Sequence, residues 1–323
     1  MKILVSGGAG YIGSICVECM LDQDHEIVVF DNLSEGHRRA VDERATFVEG
    51  DLQQREDILP AMAEHRPDAV MHFAAASLVG ESMTNPSKYY RNNIGGGVNL
   101  LDAMVEAGVG KFIFSSTCAT YGEPERVPMD ERLPQKPISV YGHSKLMFEQ
   151  ILDWYGKVHG LVNVKLRYFN AAGASEQFGE DHRIETHLIP NVLKVALGQR
   201  EKISIFGDKY DTPDGTCIRD YIHIKDLADA HIRALGRDKS AFYNLGSGEG
   251  YSVRQVIDVS RKVTGHEIPA DVEAPREGDP PRLVASSRKI REELGWKPQF
   301  DNLREIIQSA WNWHSQHPEG YGD

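Results

Sequence analysis

Gly7, Gly10 and Gly13 stand three residues apart, directly after a short apolar run and directly before a run with helical period. Few folds use that arrangement. The first glycine permits a tight turn, the second lets a phosphate approach backbone N–H groups, and the third lets the helix pack close to its strand. Residues 1–6 read as a strand, 12–23 as a helix and 26–30 as a second strand, so the glycines sit in the turn of a β-α-β unit. A glycine loop there is a seat for the pyrophosphate of a dinucleotide.

The alternation continues. Candidate strands at 46–49, 69–73, 111–115 and 164–168 are separated by helical stretches that include 57–65, 92–107 and 141–159. Apolar β-branched runs between amphipathic helices predict an α/β protein with a doubly wound parallel sheet of Rossmann type, covered on both faces. Residues 1–170 are expected to form this dinucleotide-binding domain. The rhythm then becomes irregular, with loops at 208–215 and 274–282, so residues 171–323 are expected to form a smaller mixed α/β domain over the substrate. Residues 241–245 read as one more strand, able to return to the main sheet.

Charge and cysteine content remove several classes of function. A formal net charge of -12 over 323 residues repels nucleic acid and anionic membranes, so any anionic ligand must be met by locally placed arginines. Residues 1–5 reach the glycines before they could form a signal sequence, and no stretch approaches the ~20 apolar residues of a membrane span. A cytoplasmic protein is expected. Of the four cysteines, Cys16 and Cys19 form a C-x-x-C, but both fall on the apolar stripe of the first helix with Ile12, Ile15 and Met20. Core packing is the expectation for that pair. Cys118 and Cys217 are isolated, and no metal is expected.

Asp31 ends the second strand, 18 residues beyond Gly13. An acid at that place accepts hydrogen bonds from an adenosine ribose and repels a 2′-phosphate, which favours NAD over NADP despite Arg38 and Arg39 nearby. Asp51, after the third strand, either bonds the adenine amine or caps the next helix. Ala74, Ala75 and Ala76 follow the fourth strand at the carboxyl edge, where open α/β sheets bind their ligands.

Tyr141 and Lys145 lie four residues apart at the start of an amphipathic helix, which puts phenol and ammonium on one face. A phenol ordinarily titrates near pH ~10, so a tyrosine acting as base near pH ~7 needs roughly 4 kcal/mol of help. At ~6 Å and an effective dielectric of ~20, a positive neighbour supplies on the order of 3 kcal/mol. Lys145 and an oxidised nicotinamide are two such neighbours.

Taken together, Gly-Gly-Ala-Gly-Tyr-Ile-Gly at 7–13, Asp31-Asn32-Leu33, Ser115-Ser116-Thr117, Tyr141-x-x-x-Lys145, Arg167-Tyr168-Phe169-Asn170, the stretch from Ile205-Phe206-Gly207 through Asp214-Gly215-Thr216, Arg219-Asp220-Tyr221-Ile222-His223 and Asp226-Leu227-Ala228 span nearly the whole chain. In them the chain resembles the extended short-chain dehydrogenase/reductases, and most closely their UDP-hexose 4-epimerases. The resemblance implies an isomerase of carbohydrate metabolism that holds NAD through a closed redox cycle, with Tyr141 as base, Thr117 sharing its proton and Lys145 beside it. It further implies cofactor contacts from Gly7, Gly10, Tyr11, Ile12, Gly13, Asp31, Asn32, Asp51, Leu52, Phe73, Ala74, Ala75, Asn92, Ser115 and Tyr168. On the substrate side it implies Arg219, Arg276 and Tyr221 at the diphosphate, Asn170, His187 and Leu188 near it, Ser204 and Phe206 at the uracil, and Asp279 at the ribose. A homodimer joined through the helices at 92–107 and 141–159 is implied as well.

The chain departs from the family pattern in places. Ser77 stands where members carry a lysine, and Thr186-His187 replaces an asparagine pair. Leu283 lies where the family sets pocket size and is intermediate in bulk, a slight preference for plain hexoses over N-acetylated ones. Thr117 is followed by Cys118-Ala119 where related dehydratases carry Asp-Glu, which argues against dehydration. 4-Epimerases of UDP-N-acetylglucosamine, UDP-glucuronate or UDP-pentoses are the nearer alternatives. A non-enzymatic NAD sensor would have no use for Tyr141, Lys145 and Thr117 together.

Overall fold

The computed structural model describes residues 1–276 and 278–322. Seven strands, β1 (Lys2–Ser6), β2 (Glu26–Asp31), β3 (Thr46–Glu49), β4 (Ala69–His72), β5 (Lys111–Thr117), β6 (Val162–Tyr168) and β7 (Ala241–Leu245), form one sheet in the order β7-β6-β5-β4-β1-β2-β3. Every pairing in it is parallel. The chain runs outward from β1 to β3 and then crosses back to β4, so the order reverses between β1 and β4. A crevice opens at such a reversal, at the carboxyl ends of the strands.

The sheet is buried on both sides because successive side chains of one strand feed opposite layers. Ile3, Val5 and Val29 pack with Ile15, Cys16 and Met20 of α1 (Tyr11–Leu21). Leu4, Phe30, Phe112 and Phe114 point the other way, onto Met62 of α2 (Arg55–His65), Leu100 and Met104 of α3 (Gly97–Ala107), and Phe148 and Leu152 of α4 (Val140–His159). That is why the strands read as continuous apolar runs. Cys16 is fully buried in the first layer, Cys19 packs against it, and both thiols are free.

Two elements differ from the sequence expectation. The helical stretch expected at 92–107 is wound as a π-helix over Tyr90–Gly96 before α3 begins. Asp51 does not cap α2, whose N-cap is Gln54; its carboxylate instead accepts the Gln53 N–H at 2.8 Å. α4 begins where expected, with Ser139 as N-cap accepting the Gly142 N–H at 3.1 Å.

Residues beyond 170 are shared between two packing centres. β7 closes one side of the main sheet, as its sequence suggested, and the helix Ile224–Leu235 packs on α1 in the first layer. Elsewhere, Ile203–Phe206 pairs with Ala270–Glu273, and Ile218–Arg219 lies between Tyr251–Ser252 and Arg282–Leu283. Leu193, Val256, Ile306 and Ile307 make a separate core there, from the helices Leu188–Ala196, Val253–Thr264 and Leu303–Gln316. No helix among the described residues is long and apolar enough to cross a membrane.

Candidate active site

Gly7 turns with φ +78°, and a Cβ there would lie 2.3 Å from the Ala74 nitrogen across the β1/β4 reversal. A Cβ on Gly13 would lie 2.1 Å from the Gly7 carbonyl oxygen, so neither position admits a side chain. Gly10 is different: its nearest neighbour would be the Gly7 oxygen at 3.5 Å. It is the N-cap of α1, no side chain caps that terminus, and no acid occupies the first turn. The unshared N–H groups and the positive end of the helix are therefore presented to an anion, and these residues fit a dinucleotide pyrophosphate.

Asp31 also braces this loop. Its two carboxylate oxygens accept N–H bonds from Ala9 at 3.0 Å and Leu33 at 2.8 Å, while Leu33 takes φ 57° to bring its amide round. Burial pushes the carboxyl above its ordinary value, and the two amides pull it back. Each oxygen keeps a lone pair for a ribose hydroxyl. Asn32 bonds the Ser34 amide and hydroxyl at 3.1 and 2.7 Å, so its side chain serves its own turn.

Several expected cofactor residues have their side chains or amides engaged within the protein. The Tyr11 hydroxyl donates to the Gly173 carbonyl at 2.6 Å. The Phe73 ring lies 4.9 Å from that of His231, and Leu52 packs in the second layer while its carbonyl accepts from Asn99 at 2.8 Å. Ala74 bonds the Ser6 carbonyl through its N–H at 3.0 Å.

Across the crevice, Thr117 ends β5 and is hydrogen-bonded to the partly buried Tyr141 phenol. The Thr117 hydroxyl also accepts the Ala119 N–H at 3.1 Å. Burial pushes Tyr141 up to about 12, against the pull of Thr117. Lys145 is buried one turn along and comes down to about 7 through that burial, with Glu149 opposing. The Lys145 ammonium donates to the Ser115 carbonyl at 2.9 Å and lies 4.9 Å from the centre of the Phe114 ring, so β5 orients it. Ser115 and Tyr168 share a hydrogen bond between their hydroxyls.

Three supporting residues escaped the sequence reading. Asn93, and not Asn92, is the buried member of its pair: it accepts the Ala76 N–H at 2.8 Å and donates to the Ala76 carbonyl and the Ser144 hydroxyl, both at 3.0 Å. It thereby locks the loop after β4 to the first turn of α4, while Asn92 donates to its side chain at 3.0 Å. Glu149 lies one turn beyond Lys145, bonded by Ser116 at 2.6 Å and forked by Arg167. Asp220, buried, accepts from the amides of Ser247, Gly248 and Ala285 and from the Ser247 hydroxyl; burial raises it to about 6 against those bonds. The sequence's one mark at Asn93 is its place in the run Asn92-Asn93-Ile94-Gly95-Gly96-Gly97.

On the substrate side, Arg219 is ion-paired with Asp279 and Arg276 stacks 4.1 Å from the centre of the Phe206 ring. Ser204 bonds Glu273, and Asn170 donates to the Asp220 carbonyl at 2.9 Å. Tyr221 is buried, and Leu283 pairs in register with Arg219 while packing toward Tyr121 and Phe169. His187 is the N-cap of the helix that begins at Leu188, with no side-chain cap bond, and its Nδ1 turns to Glu180 and Glu185. Burial lowers its pKa, but those two carboxylates outweigh it and bring it to about 10. Ser77 is exposed.

A glycine-turned dinucleotide seat facing a Thr–Tyr–Lys group across a doubly wound sheet defines a nucleotide-dependent redox enzyme that needs a proton acceptor beside its cofactor. The chain belongs to the NAD dependent epimerase/dehydratase family, whose model matches residues 3–246. More particularly, it is 54% identical to a UDP-glucose 4-epimerase of Streptococcus mutans, an alignment that covers 100% of this chain and 99% of that one. A UDP-glucose 4-epimerase of Lacticaseibacillus casei is 50% identical over 100% and 99% of the two chains. Among solved structures, a UDP-glucose 4-epimerase superposes with TM-score 0.97 at 52% identity over 99% of each chain. Another, from Bifidobacterium longum in complex with NAD+ and UDP, gives 0.94 at 37% identity, covering 99% of this chain and 100% of that one.

Proposed function

We propose that this protein interconverts UDP-glucose and UDP-galactose by epimerisation at C4 through a 4-keto sugar. The observation that carries the reading is Tyr141, hydrogen-bonded to Thr117 at the end of β5, on the same parallel sheet whose β1 ends in the glycine turn, with only β4 between the two strands. Gly7, Gly10 and Gly13 would hold the pyrophosphate of NAD, Asp31 its adenosine ribose, and Lys145 and Tyr168 would line the nicotinamide side. Bound there, NAD would supply a transient acceptor for the hydride of the sugar C4–H bond.

The chain's own groups move the proton and steer the sugar. Tyr141 takes the proton of the 4-hydroxyl, Thr117 bridges phenol and hydroxyl, and the proton returns along the same path when the keto group is reduced. A phenol raised to about 12 is too weak an acid to be ionised at neutral pH, so it needs positive charge beside it, which the Lys145 ammonium and an oxidised nicotinamide would supply. Arg219, Arg276 and Tyr221 anchor the diphosphate while the keto sugar turns over between its oxidation and its reduction. The Asp279 pair holds Arg219 ready without a long search of rotamers. Asn170 and Phe206 complete the nucleotide seat.

The partner we infer is a second copy of the chain. Trp154 and Val158 expose 63% and 68% of their surface one turn apart on α4, and Val105 exposes 38% on α3. An apolar stripe across two neighbouring helices suits a twofold helix–helix contact. Free cysteines throughout are in keeping with a cytoplasmic enzyme.

The test is to incubate the purified protein, with no NAD added, with UDP-galactose, UDP-N-acetylgalactosamine, UDP-glucuronate and UDP-xylose, and to separate the products chromatographically. UDP-glucose is expected from UDP-galactose, at the highest rate of the four. Absence of any epimer from UDP-galactose overturns the reading.

A further inference from the structure

One irregular stretch gathers four potential ligands at a point that proton transfer does not use. Glu180, His182, Glu185 and His187 each offer an atom, and the four atoms lie within 4.8 Å of one another. His187 Nδ1 is 3.0 Å from a Glu180 oxygen and 3.1 Å from a Glu185 oxygen; His182 Nδ1 is 3.1 Å from the other Glu185 oxygen and 3.6 Å from Glu180. Both carboxylate side chains are nearly inaccessible, at 5% and 4% exposure. Two negative charges in so dry a place demand compensation.

We propose that these four side chains form a binding site for one divalent transition-metal ion, with Zn2+ the best match. The donor set is two imidazole nitrogens and two carboxylate oxygens, which suits borderline cations and not Ca2+ or Mg2+. With neutral imidazoles the two carboxylates balance a 2+ charge. Four atoms no farther apart than 4.8 Å can all lie within about 2.9 Å of a common centre, under one ångström beyond a Zn–N or Zn–O bond of ~2.0–2.2 Å. The short remaining movement falls on residues 180–187, which lie in no helix or strand, so no regular element has to deform.

The location gives such an ion a structural consequence. The His182 ring meets the Tyr11 ring edge-on at 6.1 Å, and Tyr11 bonds the Gly173 carbonyl at 2.6 Å. Arg183, between two of the ligands in sequence, donates to the Leu33 and Gly36 carbonyls at 3.3 and 3.1 Å. An ion there fastens this stretch across the loop that follows Asp31.

The experiment uses the full chain, dialysed against a chelator, titrated with CoCl2 and followed by visible absorption, with metal content checked by mass spectrometry. One equivalent of Co2+ with ligand-field bands is expected, displaced by ZnCl2. Glu185→Gln and His182→Ala are each expected to weaken binding by at least the ~10–100-fold seen for loss of supporting residues at metal sites. Either of two results overturns the proposal: no stoichiometric Co2+ or Zn2+ at submillimolar metal, which would leave the cluster an ion-pair network closed by a proton, or unchanged binding in both folded variants. Should the variants fail to fold, the stoichiometry and spectrum of the unmodified protein still decide.

Discussion

Tyr141 is the residue on which the chemistry turns, and its substitution separates proton transfer from cofactor binding. Tyr141→Phe keeps the ring and its packing but removes the hydroxyl that is hydrogen-bonded to Thr117. Loss of a positioned proton acceptor typically lowers turnover by 10²–10⁴-fold. That fall is expected in the epimerisation rate, with NAD still recovered in equal amount when the unfolded variant is extracted. A rate within tenfold of the unmodified protein would remove Tyr141 as the base. This residue was legible in the sequence because its partner lies four residues away on one helix, and the glycines were legible because one turn contains them all. Asn93, Glu149 and Asp220 were not, since their partners stand as far as 51, 33 and 65 residues off in the chain and are brought together by the sheet alone. The direction of the Lys145 ammonium was illegible for the same reason: helical spacing sets the face, but the Ser115 carbonyl that orients it belongs to β5.

Among elements, α4 carries the site at its first turn and is tied to β5 and β6 by a buried ion pair below it. The side chains of Glu149 and Arg167 are 3% and 5% exposed, and Arg167 extends the network to the Tyr121 hydroxyl at 2.8 Å. Removing one member of such a pair leaves an uncompensated charge and typically destabilises by ~3–5 kcal/mol, whereas replacing both with apolar side chains is often neutral. Glu149→Gln is therefore expected to lower urea-denaturation stability by about 3–5 kcal/mol, and Glu149→Leu with Arg167→Met to recover most of that loss. Equal loss in the single and double variants would show that the pair is not what holds α4 to the sheet. The strands of the main sheet and the helices at 11–21, 55–65 and 140–159 followed closely from apolar periodicity, whereas the short helices Val79–Thr84 and Pro86–Tyr89 did not. The π-helical winding over Tyr90–Gly96 did not, because an extra residue in one turn is imposed by what Asn93 must reach and leaves no mark on the period.

For the whole molecule, two surfaces of behaviour remain open to measurement. If the exposed Trp154 and Val158 face is the twofold contact, Trp154→Glu is expected to convert a dimer to a monomer in sedimentation while the monomer keeps its NAD; an unaltered mass places the contact elsewhere. The acid limit of stability follows from histidines buried in both packing centres. Burial lowers His72 and His223 to about 3, each with a nearby lysine adding to the effect, and lowers His231 and His314 to about 4 against weaker opposing contacts. All four are less than 9% exposed, so the folded chain holds them neutral where the unfolded chain, with pKa ~6.5, would charge them. Their folded pKa is depressed, the unfolded state therefore binds more protons at these sites below pH ~6.5, and their contribution to stability falls as pH drops from there toward 4, by up to ~1.4 kcal/mol per pH unit for each histidine, against the raised carboxyl of Asp220, which pulls the other way below pH ~6. Urea titrations at pH 7, 6 and 5 are expected to show a steepening loss, and His231→Leu, which removes one titrating group from a wholly buried place, should flatten it. A flat profile between pH 7 and 5 would mean that burial does not hold these imidazoles neutral in the folded chain.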